Sequence, residues 1–247
     1  MQAEAYLAGI RAMVDQISTG QLPTIRRVGS LIADTIRQGA LLHIFGSGHS
    51  HMAAEEIFHR AGGLCGINAI LDPALSGHGP FGTALERTPG YIPVLLQHYD
   101  LRAGEHLIVV SNSGINAAPV EAALYGKEHG LIVTAVTSLA HSKSVASRHS
   151  SGKKLYEISD HVIDNCVIPG DALLEVPGIS ERICPTSTVM GAVIVNLLMA
   201  QVVERLVAAG AAPPVLRSAN LPGGGRHSDD CQAREQRIKM QAAYAAH

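Results

Sequence analysis

Apolar residues at helical spacing open the chain. Ile25, Val28, Ile32 and Ile36 recur on one face of residues 23–37, and residues 4–17 carry a similar amphipathic pattern, so two leading helices are predicted. The pattern then changes. A short, wholly apolar run at 41–45 meets a glycine-serine turn and an Ala-rich helical stretch over 51–61. The same order of strand, turn and helix follows at 107–110, 111–114 and 119–129, and the run at 132–136 leads into a Ser-rich loop. A further short strand is expected at 162–164, and a long helix at 188–209.

Strands without polar alternation must be covered on both faces, and intervening helices force parallel crossovers. The expected fold is therefore α/β: a three-layer α/β/α sandwich around a doubly wound parallel sheet. It is read as a single domain, with an N-terminal helical extension over 1–38, a core over 39–210 and a tail over 211–247. From Pro213 onward, with Gly223, Gly224 and Gly225 in succession, the tail is expected to be a loop draped on the surface or on a partner.

Composition narrows the function classes. The chain has 247 residues, 47% of them apolar and only 16% charged, enough to bury a continuous core. A net charge of −2 and 4% aromatics, with no Trp, argue against a nucleic-acid binder that works through a basic field or stacking rings. Residues 1–7 include Gln2 and Glu4 and are not signal-like, and residues 189–203 are interrupted by Asn196 and Gln201, so no membrane association is expected. Cys65, Cys166, Cys184 and Cys231 are scattered without a CxxC pair, which makes a reducing cytoplasm the expected setting.

Two turns carry the candidate chemistry. Gly46-Ser47-Gly48-His49-Ser50 places hydroxyls beside the amides of a coming helix, where an anion is well received. A dinucleotide fingerprint would need glycine three residues after Gly48, where His51 stands, and no phosphate loop ending in Gly-Lys-Ser/Thr is present. Ser50 acting only as a helix cap is the plainer alternative. Ser111-Asn112-Ser113-Gly114 repeats the device after the next core strand. Both turns would aim donors at one side of the sheet, gripping an anion without a basic cluster.

These two turns, together with Leu101-Arg102-Ala103-Gly104-Glu105-His106, resemble the sugar isomerase (SIS) domain over roughly residues 38–205. Gly48-His49-Ser50-His51, Glu55-Glu56-Ile57-Phe58, Arg148-His149-Ser150-Ser151-Gly152 and Ser218-Ala219-Asn220 are similar to an uncharacterised branch of that family. The resemblance implies a phosphosugar ligand, aldose–ketose isomerisation or a related reaction, and a homodimer or homotetramer. By resemblance, Ser47, Gly48, His49 and Ser50 form the first sugar-phosphate loop, and Ser111, Asn112 and Ser113 the second. Asn116 stands where the family commonly has Thr, and Ser138 and Ser142 fall in a third loop. A phosphoheptose isomerase-like alignment puts Glu56 and Arg60 at that branch's His and Glu positions. The branch's later catalytic His has no counterpart in Thr188-Val189-Met190-Gly191-Ala192, so its mechanism is not transferred.

Glu56 is the acid–base candidate, with Glu55 and His59 beside it. His51, Glu55 and His59 would share a helix face, but three consecutive turns span about 12 Å, too far for one ion, and no metal or cofactor is expected. His78 and His227 are either ordinary exposed loop histidines or part of loops that close over a ligand, Thr186, Ser187 and Thr188 either cap the long helix or touch substrate, and Lys153-Lys154 is read as a solvated turn. The competing class is a noncatalytic phosphosugar sensor, for which no helix-turn-helix appendage is visible.

Overall fold

The computed structural model describes residues 1–81, 83–222 and 229–244, with the side chains of the final helix given over 231–238. Helices α1 (Gln2–Gly20) and α2 (Leu22–Arg37) lead into β1 (Leu42–Gly46), α3 (His51–Ile57) and β2 (Ile67–Ile70). A 3₁₀ turn at Pro73–Leu75 and the short helices α4 (Thr83–Glu86) and α5 (Tyr91–Leu96) precede β3 (His106–Val110). Then come α6 (Ala117–Glu128), β4 (Ile132–Thr137), α7 (Leu139–Ser144), α8 (Leu155–Ile158) and β5 (His161–Asp164). A small antiparallel pair, β6 (Ala172–Leu174) and β7 (Ile183–Pro185), is followed by α9 (Ser187–Ala208) and α10 (Asp229–Tyr244).

The main sheet has five parallel strands in the order β2-β1-β3-β4-β5. Successive side chains of a strand point to opposite faces, and the two cores follow that alternation. Ile44, Ile108 and Val110 pack under α1, α2, α3 and α9, whereas Phe45, Leu107 and Val109 pack under α5, α6 and α8. The α/β/α sandwich is thus observed. α2 and α9 cross closely because Gly29 has no side chain; a Cβ there would lie 2.8 Å from Gln201 Cβ.

The amino-terminal ends of β1 to β3 enclose a polar cluster. His43, wholly buried, hydrogen-bonds Glu105 through Nε2 (2.8 Å) and Asn68 through Nδ1 (3.0 Å). Glu105 also accepts from the Leu41 amide (2.8 Å) and from Arg237 Nη1 (2.5 Å) and Nη2 (3.0 Å) on α10. Burial alone would raise the Glu105 carboxyl, but His43, Arg237 and the Leu41 amide reverse this and hold it well below the usual carboxylate range.

The tail differs from expectation. It contains α10, docked on the core by Arg234, which donates to Ile36 O and Ala40 O (both 2.7 Å), and by Arg237. The Gly223–Gly225 run and His227 lie outside the described residues. Cys65 and Cys231, both buried, form a disulfide across a sequence separation of 166, a pairing that their scattered spacing did not reveal. Cys166 and Cys184 are free thiols, and burial beside Asp164 pushes Cys166 up to about 11.

Candidate functional site at the carboxyl ends of β1 and β3

In the order β2-β1-β3, the chain leaves β1 in one direction and returns to β3 on its other side. A crevice opens at the carboxyl end of such a pair, and ligands of open α/β sheets bind there. Both serine turns occupy it. Gly46 pairs with Val110 in the register of β1 and β3, so Ser47 and Ser111 leave neighbouring strands side by side.

The first turn depends on its glycines. A Cβ on Gly46 would lie 2.3 Å from Ser50 O, and Gly48 takes φ +58 while its amide donates to Leu75 O (2.8 Å). Ser50 occupies the position before α3 without a side-chain capping bond. In the second turn Ser111 Oγ accepts from the Gly114 amide (3.1 Å), and Gly114 takes φ +63. Asn112 is tied to Asn165, beyond β5, by a 3.0 Å hydrogen bond from Asn165 Nδ2 to Asn112 Oδ1. His49, Ser50, Asn112 and Asn165 meet Ser187 and Thr188 around a narrow cleft.

A second wall comes from the loop after β2, from α4 and from the loop after α7. The loop after β2 runs beside the first turn, with Ser76 bridged to Gly48 and exposed His78 nearby in sequence. Beyond it, α4 carries Glu86. A methyl group built on Gly48 would lie 3.8 Å from Glu86 Oε2, and Glu86 Oε1 accepts from Asn116 Nδ2 (2.8 Å). Asn116 Oδ1 accepts in turn from Arg148 Nη1 (3.2 Å). The loop after α7 thus brings one guanidinium to this wall. His149 beside it faces Glu121 at 3.7 Å.

Other predicted residues lie elsewhere. Ser138 is fully buried and caps α7, accepting from the His141 amide (3.0 Å) and donating to Val167 O (2.5 Å). Ser142 is also fully buried, its Oγ near Gly114 and without a hydrogen-bond partner. Glu55 is exposed and bonds His51 Nδ1 (3.2 Å). Glu56 pairs with Arg60 and accepts from Asn196 Nδ2 (2.9 Å) on α9.

The shared helix face of His51, Glu55 and His59 is not formed. α3 ends at Ile57, Phe58 is extended, and His59 takes φ +41. His59 approaches Glu235 of α10 at 3.5 Å, within a different pocket that also borders Cys65 and Gly66 just ahead of β2. Thr186 and Ser187 receive their cap from outside the helix: Asp171 Oδ1 accepts both amides (2.8 and 2.7 Å). Lys154 donates to Ser142 O (2.7 Å) rather than standing in solvent.

The family model for the SIS domain matches residues 5–138. A UPF0309 protein of Caldanaerobacter subterraneus subsp. tengcongensis is 42% identical over 230 residues, covering 91% of this chain and 94% of that protein. Another, from Halalkalibacterium halodurans, is 42% identical over 226 residues, covering 91% of this chain and 90% of that one. The chain belongs to the SIS domain family and, within it, to the UPF0309 proteins. Among solved structures, a phosphoheptose isomerase from Francisella tularensis superposes with a TM-score of 0.56 at 15% identity, covering 82% of this chain and 97% of that one. The phosphoheptose isomerase of Neisseria gonorrhoeae gives 0.55 at 16% identity, over 81% and 96%. At such identities the likeness is one of fold.

Proposed function

We propose that this protein binds a sugar phosphate or amino-sugar phosphate and interconverts its aldose and ketose forms. The carrying observation is the convergence of Ser47–Ser50 and Ser111–Gly114 at neighbouring strand ends. Hydroxyls and main-chain amides suit a phosphoryl group, and Arg148 adds a cation at the rim. Membership of the SIS domain family and the phosphoheptose isomerase fold support the same reading. Ser47, Gly48, His49, Ser50, Ser111, Asn112 and Ser113 are the proposed ligand contacts. Ser138 and Ser142 act as supports behind them.

A homodimer is part of the proposal. α9 is long and apolar enough to cross a membrane by length and composition, with 44% of its apolar window buried. Its outward side, with Val189 exposed and Ala192, Val193 and Leu197 half-buried, suits a second copy of this chain. Thermal-shift measurements with ribose 5-phosphate, glucose 6-phosphate and sedoheptulose 7-phosphate, against the free sugars, test the ligand class. Stabilisation by phosphorylated compounds alone is expected. No response to any phosphosugar refutes the reading.

A further inference from the structure

We propose that Glu86 is the catalytic carboxylate of this site, taking a proton from one sugar carbon and returning it to the next. The inference rests on the phosphosugar reading and assigns the acid–base group within it. α4 lies in the β2–β3 connection and sets Glu86 across the crevice, between Gly48 of the first turn and Asn116, which precedes α6.

The two carboxylate oxygens are treated differently. Oε1 is fixed by Asn116 Nδ2 at 2.8 Å, and the Arg148 guanidinium on Asn116 Oδ1 orients the amide so that its NH₂ must face Glu86. Oε2 faces Gly48 of the first turn, 3.8 Å from where a methyl group on that residue would lie, and no hydrogen bond to it is seen among the described residues. Glu86 is half-buried, enough to be positioned while still reachable. The other acidic residues nearby are engaged differently. Glu56 holds Arg60 and Asn196, and Glu121 accepts the Gly90 amide at 2.7 Å beside His149.

The chemistry balances without an oxidant or reductant. Glu86 takes the proton from C2 of the open-chain aldose, the C–H electrons form the C1=C2 bond, and the carbonyl pair moves to O1. A proton passes from the C2 hydroxyl to O1 through water. The carboxylic acid then returns its proton to C1 as the C2 carbonyl forms, giving the ketose. The phosphoryl group and the reacting carbons sit at opposite ends of a sugar phosphate, so serine turns and carboxylate divide the ligand between them.

The test follows, by NMR in heavy water, exchange of the C2 proton of the aldoses ribose 5-phosphate and glucose 6-phosphate and of the C1 protons of the ketose sedoheptulose 7-phosphate, in wild type, Glu86→Gln and Glu86→Asp. Gln keeps an acceptor for Asn116, so the fold and the thermal shift by phosphosugar should persist. Exchange should fall by a factor of about 100 or more, as expected when a general base is removed, with partial recovery in Glu86→Asp. Exchange that survives in Glu86→Gln, or is lost in Glu56→Gln while surviving in Glu86→Gln, overturns the assignment. Stabilisation of the wild type without exchange also overturns it while leaving ligand binding intact. Absence of any stabilisation defeats the function reading itself.

Discussion

His106 offers a direct test of how burial shapes the stability of this sheet. It lies at the start of β3, wholly buried, with Nε2 on Thr134 Oγ1 (2.7 Å), Nδ1 without a partner, and its ring stacked 6.5 Å from His161. Burial first, and the neighbouring His161 second, push it down to about 3. The unfolded chain would protonate the same ring near 6.5. Between those values the unfolded state holds one more proton, so stability is full above about pH 6.5 and falls as the pH drops toward 3.

Each pH unit in that window costs up to about 1.4 kcal/mol, or about 2 kcal/mol between pH 6.5 and 5. Glu105 also has a depressed carboxyl, but its contribution is lost only below about pH 4.5, so the range from 5 to 6.5 isolates the histidines. His161, half-buried and likewise lowered, adds in the same direction. Urea unfolding followed by circular dichroism at pH 5, 5.75, 6.5 and 7.5 measures the slope. The double variant His106→Leu/Thr134→Val removes the ring and the hydroxyl it would orphan. Its loss between pH 6.5 and 5 should be less than half that of the wild type. Equal losses would show that His106 is not the responsible group.

Three further outcomes follow from particular contacts. Gly46→Ala forces a Cβ to within 2.3 Å of Ser50 O; it should cost about 1–3 kcal/mol and abolish the phosphosugar thermal shift, and retained binding would disprove a fixed first turn. Arg237→Ala strips Glu105 of its guanidinium partner and should cost about 3 kcal/mol in urea unfolding, whereas an unchanged midpoint would mean that α10 does not brace the core. In denaturant without reductant only Cys166 and Cys184 of the four cysteines should react with a thiol reagent. Adding dithiothreitol should expose all four and lower the thermal midpoint, with a chain-entropy ceiling of about 5 kcal/mol. Four reactive thiols from the start would contradict the Cys65–Cys231 bridge.

The central strands were legible because they are continuous apolar runs: 41–45, 107–110 and 132–136 fall on β1, β3 and β4. β2 escaped notice because four residues containing Asn68 carry little pattern, and that asparagine is there to bond His43. The helix expected over 51–61 stops at Ile57, where Phe58 turns extended ahead of Gly62 and Gly63. This break is what carries His59 away from the cleft. α10 was invisible to hydrophobic periodicity because it docks through arginines on carbonyls and carboxylates. In the site, the serine turns announced themselves by local spacing. Glu86 did not, and Arg148 stood out only within a family resemblance and without a role, since each lies some thirty residues from Asn116 in the chain and meets it only through the fold.

The position of α10 also bears on synthesis. Translation delivers His43, Asn68 and Glu105 well over a hundred residues before Arg237 leaves the ribosome. The nascent sheet must therefore carry its interior carboxylate with imidazole and amide partners alone, and the guanidinium that completes the set arrives only after β1 to β5 have emerged.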